Sequence, residues 1–377
     1  MDLTMDFRLS DDQRMLDDSA SKYLAGQYSF DAYRRQLAAG VAFDESRWAA
    51  MAELGWMALP FPESVGGFGG SLVDIQLVAR RLGERLCTDP WLSCAILPGK
   101  ALEFVGGDSA MELLSEIAAG TIRSALAALE ANSHYECSMI AARVTENSDG
   151  IQIDGQKSVV FGAEYAHVLL VTACAENGEE MLVAVPSSSP GLSMSHYRVV
   201  DGSRASEVNL NGVKLPGNAV LARGRVVIDA VKRAVDVANV AICADLLGAA
   251  SAMLVRTLDY ARTRRQFGVA IGSFQVIQHY LVDMFIETQQ SESLVWMAGI
   301  QGDTQECADR ERAVSIAKAY IARSAVMVAQ KSVQIHGGIG VTEELDIGHY
   351  FRRVTHYAQM FGDRDYHVQR YMAFGQS

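Results

Sequence analysis

The chain is 377 residues long, 49% hydrophobic and 21% charged, with a net charge of −12 and an isoelectric point near 5.2. That length supports two or three domains around shared cores, and the composition is that of an ordinary soluble globular protein. The acidic surplus argues against a broad surface for nucleic acid or anionic membrane, while leaving room for a local basic pocket that takes an anionic cofactor. The opening segment, MDLTMDFRLSDD, is acidic and carries no apolar signal core. Residues 1–120 read as helical. Ser10-Asp11-Asp12-Gln13 has capping-box spacing ahead of an amphipathic run through Met15, Leu16 and Tyr23. A second helix is expected over about Glu45–Leu54. The stretch from Pro60 to Gly70 is too rich in proline and glycine for a helix and reads as a loop. Helical patterning resumes at Val73–Leu86 and at Ala110–Ile117.

From about Ser124 to Pro216 the period changes. Alternating runs such as Ile151-Gln152-Ile153 and apolar runs such as Val168–Val171 predict short strands. Turn signals stand between them at Asp149-Gly150, Asp154-Gly155, Asn177-Gly178 and Asn211-Gly212. Long helical segments follow at roughly 229–263, 274–300 and 307–335, a pattern that suits an antiparallel bundle. The most apolar of these runs from about Val235 to Val255. Asp236, Asn239 and Asp245 interrupt it, so it reads as a buried helix and not as a membrane span. Cys87, Cys94, Cys137, Cys174, Cys243 and Cys307 lack C-x-x-C spacing. Free thiols in a reducing cytoplasm are expected, with no zinc or other metal site. The organisation predicted is an α+β chain: a helical domain over 1–123, a β-barrel-like domain over 124–224 and a helical, four-helix-bundle domain over 225–377.

Two segments near the C-terminus carry the most information. One is Thr263-Arg264-Arg265-Gln266-Phe267-Gly268 with Phe274-Gln275 after it. The other is Gln334-Ile335-His336-Gly337-Gly338-Ile339-Gly340 with Thr342-Glu343-Glu344 after it. Together they resemble the C-terminal flavin-binding signatures of acyl-CoA dehydrogenases. The order helical, β, helical is also that family's architecture. Phe7-Arg8-Leu9-Ser10-Asp11-Asp12-Gln13 resembles its opening helix, and Leu54-Gly55-Trp56, Pro62-Glu63 and Gly66-Gly67 resemble its next landmarks. The resemblance implies FAD as cofactor, an acyl-CoA substrate, and α,β-desaturation with an electron-transferring flavoprotein or similar acceptor.

It further implies that Arg264 and Gln275 reach FAD phosphates and adenosine across a subunit interface. Phe267 would pack against the cofactor, and Gln334, Gly337 and Gly338 would lie against the FAD of a neighbouring subunit. A guanidinium fork suits a pyrophosphate, and glycine lets main chain approach a ligand. In isolation Arg264 could equally be one solvated charge in the cluster with Arg262 and Arg265, and Gly337 an ordinary helix C-cap. His336 reads as a packed or exposed loop histidine. In the middle domain only Glu130 keeps an obvious family place. The strand Lys157-Ser158-Val159-Val160-Phe161-Gly162-Ala163 lacks the usual Thr-Asn.

The catalytic base is not where the resemblance places it. In the family a Tyr-Glu-Gly-Thr segment usually supplies it; here the stretch reads Met360-Phe361-Gly362-Asp363-Arg364, with Gly362 at the expected place. A family subset carries its base on the long helix, a position that falls near Ala238, with Asn239 beside it. Asp236, Asp245, Asp363 and Asp365 are the carboxylates nearby, all expected to be solvated, with Asp363 the best local candidate. Bacterial members that lack the base pair with a related, competent subunit as an α2β2 heterotetramer. Such pairs act on bulky thioesters, including steroid side chains and dicarboxylates, and the ending Asp363–Tyr371 resembles theirs. Two alternatives stay open: a self-sufficient homomer using Asp363 or Asp236, and a structural subunit that never touches flavin.

Overall fold

The computed structural model describes residues 8–40, 43–303 and 307–374. Phe7 and the first part of the acidic opening segment lie outside the described residues. Six helices come first: α1 (Asp11–Gln27), α2 (Phe30–Ala38), α3 (Glu45–Glu53), α4 (Leu72–Glu84), α5 (Leu97–Val105) and α6 (Asp108–Ala118). The strands β1 (Ser124–Ala127), β2 (Arg143–Asn147), β3 (Gly150–Phe161), β4 (Val168–Ala175), β5 (Glu180–Pro186), β6 (Leu192–Arg198), β7 (Arg204–Leu215) and β8 (Val220–Arg223) follow. Then come α7 (Val226–Thr263), the short strands β9 (Arg265–Gln266) and β10 (Val269–Ala270), and α8 (Gln275–Gly302), α9 (Cys307–His336), α10 (Asp346–Gln359) and α11 (Arg364–Ala373). The helical, β, helical order expected from the sequence is the observed one. Helices α2 and α5 were not anticipated; α5 is entered through a π-helical turn at Leu92–Ile96.

The chain forms two compact units. Residues 43–70 and 88–238 build one, around an eight-stranded sheet of order β6-β7-β3-β2-β4-β5-β8, with β1 also paired to β4. Its core is a layer of small and β-branched side chains, among them Val144, Ile153, Val171, Val183, Val185 and Val208, which suits a pleated surface. The Asp149-Gly150 and Asn177-Gly178 signals fall at reversals, between β2 and β3 and between β4 and β5. Asp154-Gly155 and Asn211-Gly212 do not end strands. They lie inside β3 and β7, where the pairing slips between Ile153 and Gly155. Gly212 N–H donates to the Asp154 carboxylate at 2.7 Å, so the two dipeptides form one irregularity of a continuous ladder.

Residues 8–40, 71–87, 239–303 and 307–374 make up the other unit. Its first helix opens as predicted: Ser10 Oγ accepts from Gln13 N–H and the Gln13 side chain accepts from Ser10 N–H, each at 3.1 Å. The most apolar stretch of α7 is 89% buried within the protein, as a core helix should be. Helices α4 and α7 meet backbone to backbone. A Cβ on Gly83 would lie 2.1 Å from the Asp245 carbonyl oxygen, and one on Gly248 2.0 Å from that of Arg80, so neither position admits a side chain. Helix α9 packs against α8, α10 and α11.

Candidate functional site

The first signature folds as a hairpin at the end of α7. Arg265 pairs with Ala270 and Gln266 with Val269, so Phe267-Gly268 is a two-residue turn. Both turn residues have positive φ, +54° and +83°, the geometry of a type I′ turn, in which glycine is at ease and phenylalanine is not. Phe267 is also 91% exposed, with the ring of Phe274 set edge-on to it at 6.2 Å between centroids. A large apolar ring held in both an unfavourable backbone region and water has no reason for its place inside this chain. Arg264 follows the last turn of α7, and its carbonyl accepts from Ile271 N–H at 2.9 Å. Its guanidinium is exposed and forms no ion pair among the described residues, whereas the neighbouring Arg262 lies 3.9 Å from Asp259. Gln275 is the first residue of α8 and is exposed.

The second signature caps α9. Gln334 is exposed on its last turn, and Gly337 terminates it at φ +66°. Gly338 differs: a Cβ there would meet nothing within 4 Å, and its φ lies outside the positive region. Nothing within the chain requires glycine at that position. His336 is not a free loop residue. It is buried, its Nδ1 meets the Ser332 carbonyl at 2.8 Å, and its ring stacks on Tyr260 at 4.3 Å. Burial holds it below the usual imidazole range. The Tyr260–His336 stack ties the end of α7 to the end of α9, and so brings the two signatures to neighbouring parts of one unit.

The segment between α10 and α11 is closed. Gly362 is buried at φ +118°. Lys318, fully buried on α9, donates from Nζ to the carbonyls of Met360 (2.6 Å) and Gly362 (3.1 Å) and to Asn239 Oδ1 (3.4 Å). Asn239 Nδ2 in turn donates to the Phe361 carbonyl at 3.2 Å. Burial lowers the Lys318 pKa to about 8, opposed by Cys243 and Asp363.

Asp363 caps α11, accepting from Tyr366 N–H at 2.8 Å. Asp365 is exposed. Asp236 and Asp245, expected in solvent, are buried; Asp245 binds Arg353 in a two-pronged pair at 2.7 and 3.1 Å. An apolar helix can keep a carboxylate inside when an arginine from another helix meets it. Ala238 is buried and Asn239 is engaged with the 360–362 segment.

The family model for "Acyl-CoA dehydrogenase, N-terminal domain" matches residues 10–97, and that for "Acyl-CoA dehydrogenase, C-terminal domain" matches residues 228–373. The chain belongs to the acyl-CoA dehydrogenase family. It is 28% identical to the probable acyl-CoA dehydrogenase YngJ of Bacillus subtilis, across 92% of this chain and 93% of that one. A variant of the Tcur3481-Tcur3483 steroid ACAD has the same fold with a TM-score of 0.86 at 25% identity, covering 97% of this chain and 98% of its own. The ChsE4-ChsE5 complex from Mycobacterium tuberculosis matches in fold with a TM-score of 0.89 at 22% identity, covering 99% of each chain.

Against the acyl-CoA dehydrogenase pattern, the sheet unit keeps Glu130 for an internal purpose. Its carboxylate accepts from Ala141 and Ala142 N–H and from the fully buried Lys157 at 2.6 Å. Burial pushes the Glu130 pKa up, but Lys157 and the two N–H groups outweigh it and hold the group below the ordinary carboxylate range. Two residues after Lys157, Val159 is exposed and stands at φ +54° beside a slip in β3·β7 pairing. A β-branched residue there is strained, and such strain clusters at functional sites. The sequence drew attention to this strand through its missing Thr-Asn, but composition carries no signal for the strain at Val159. Lys318 and His367 were likewise missed, because their partners are main-chain atoms and packing neighbours.

Proposed function

We propose that this chain is one subunit of an FAD-dependent acyl-CoA dehydrogenase that desaturates a bulky acyl-CoA, possessing part of the cofactor site and taking its catalytic glutamate from a related partner subunit. The observation that carries this reading is the outward presentation of the FAD signatures. Arg264, Phe267, Gln275, Gln334, Gly337 and Gly338 are all exposed, and Phe267 and Gly338 have no internal reason for their identity. Residues presented in this way fit a group held across a subunit contact. Arg264 would donate its fork to the pyrophosphate, Gln275 would meet the adenosine portion, and Phe267 would pack on the cofactor. Gly337 and Gly338 would let main chain approach it. FAD, when bound, supplies the hydride acceptor that no side chain provides.

Gly362 and Ala238 hold no carboxylate at either of the family's base positions, so the α proton would go to a glutamate of the partner. The fold shared with a steroid ACAD and with the ChsE4-ChsE5 complex supports an α2β2 assembly and a steroid-derived thioester. An electron-transferring flavoprotein or similar acceptor would take the electrons, in the cytoplasm. The test is to purify the chain alone and co-expressed with an acyl-CoA dehydrogenase chain encoded beside it, reading flavin absorbance and thioester oxidation. Flavin and activity that depend on co-expression are expected. A yellow, active homomer would overturn the proposal.

A further inference from the structure

We infer that this chain's base position is closed by its own side chains, and that His367 is the residue that excludes a carboxylate from position 362. The inference rests on the reading of Gly362 as the family's base position and says why that position stays empty.

A Cβ built on Gly362 would lie 2.6 Å from His367 Nε2, 2.9 Å from His367 Cδ2 and 2.6 Å from Tyr366 Cδ1. These distances are shorter than real Cβ contacts, so a side chain at 362 requires the ring to leave. His367 is fully buried, set edge-on to Tyr366 at 5.3 Å between centroids. Nor can residue 362 withdraw, because Lys318 grips the carbonyls of Met360 and Gly362 and Asn239 grips that of Phe361. The backbone adds a second bar, since φ +118° is open to glycine and costly for any other residue.

His367 behaves as packing material. The Phe361 backbone lies beside the ring, yet among the described residues neither ring nitrogen has a hydrogen-bond partner of good geometry. Burial, with Lys318 and Arg370 nearby, keeps the ring neutral. A histidine so placed contributes volume in the space that a side chain on residue 362 would need. The loss of the base is therefore a coupled change, and returning glutamate to 362 alone would not reopen the position.

The test is a double-mutant cycle on the full chain, read as melting midpoint, with Gly362→Ala and His367→Ala separately and together. Gly362→Ala should lower the midpoint by about 1–4 °C, as an overpacked site does in a chain of this length. In the His367→Ala background the same substitution should cost clearly less; the backbone and Tyr366 contributions are present in both backgrounds and cancel in the difference, which isolates the His367 contact. His367→Val repeats the cycle should the alanine variant fail to fold. Gly362→Glu should lose more than Gly362→Ala and regain most of the excess when His367 is truncated. Equal losses in both backgrounds would overturn the inference. The cycle needs no substrate, so it stands apart from the base-position reading: an active, unpartnered chain would remove that reading and leave the coupling intact.

Discussion

Replacing Lys318 with methionine separates two opposing contributions of a buried amine. Methionine keeps the length of the side chain and removes every donor. The carbonyls of Met360 and Gly362 then lose the group that bonds them at 2.6 and 3.1 Å. A buried acceptor left without a donor costs about 1–3 kcal/mol, so the loss is about 2–6 kcal/mol for the two. Against this, the ammonium itself is unfavourable in the fold. Its pKa falls from 10.5 to about 8 through burial, and a shift of that size corresponds to roughly 3 kcal/mol.

The sign follows from proton counting. Between pH 8 and 10.5 the folded chain has released the proton and the unfolded chain still holds it. The unfolded state then binds more protons, so the Lys318 contribution to stability rises with pH across that window and is flat below it. Lys318→Met should therefore lie between a gain of about 1 kcal/mol and a loss of about 3 kcal/mol at pH 7, and the balance should move against the variant by roughly 2.5 kcal/mol by pH 10. Urea unfolding followed by circular dichroism at pH 7, 8, 9 and 10, compared as parent minus variant, cancels the titration of the buried tyrosines and thiols. A pH-independent difference would refute the reasoning, because it would mean the amine titrates as it does in water.

Other perturbations probe the remaining parts. Asp245→Ala strands the buried Arg353 guanidinium and should cost about 3–5 kcal/mol in urea unfolding, while Asp245→Leu with Arg353→Met should recover most of that. Gly248→Ala sets a Cβ on the Arg80 carbonyl and should lower the melting midpoint, the loss expected when backbones are forced apart. Gly338→Ala meets open space and should leave the midpoint unchanged while lowering the flavin content of the co-expressed assembly; unchanged flavin content would remove Gly338 from the cofactor site. Asp363→Ala should cost about 1 kcal/mol as a lost helix cap, and Asp363→Asn much less. Turnover of the assembly that survives Asp363→Asn would exclude that carboxylate as a displaced base.

Much of the fold was legible because its determinants are local. The Ser10–Gln13 capping box, the proline- and glycine-rich loop, and the long helices after Arg225 follow from spacing and propensity within a turn or two of each residue. Failures arose where a local signal met a distant partner. Asp154-Gly155 and Asn211-Gly212 read as turns one strand at a time. Only when β3 and β7 pair does Asp154 find Gly212 N–H, so the irregularity stays within the ladder. Asp245 reads as solvated until Arg353, far along the chain, arrives beside it. The candidate site divides in the same way. The identities of Arg264, Phe267, Gln275 and the Gln334–Gly338 segment announce themselves because motif spacing is a local property.

What the sequence presents at 362 is only an absence, and an absence has two physical meanings. A vacated position keeps its space and could be refilled by one substitution. A closed position has had its space taken, and refilling it means undoing the packing around it. Lys318, Tyr366 and His367 place Gly362 in the second class, because the contacts that decide it run between a helix, a loop and the next helix and leave no trace in spacing. Where a family's catalytic side chain is absent, the volume around the position is a better guide than the letter that stands there.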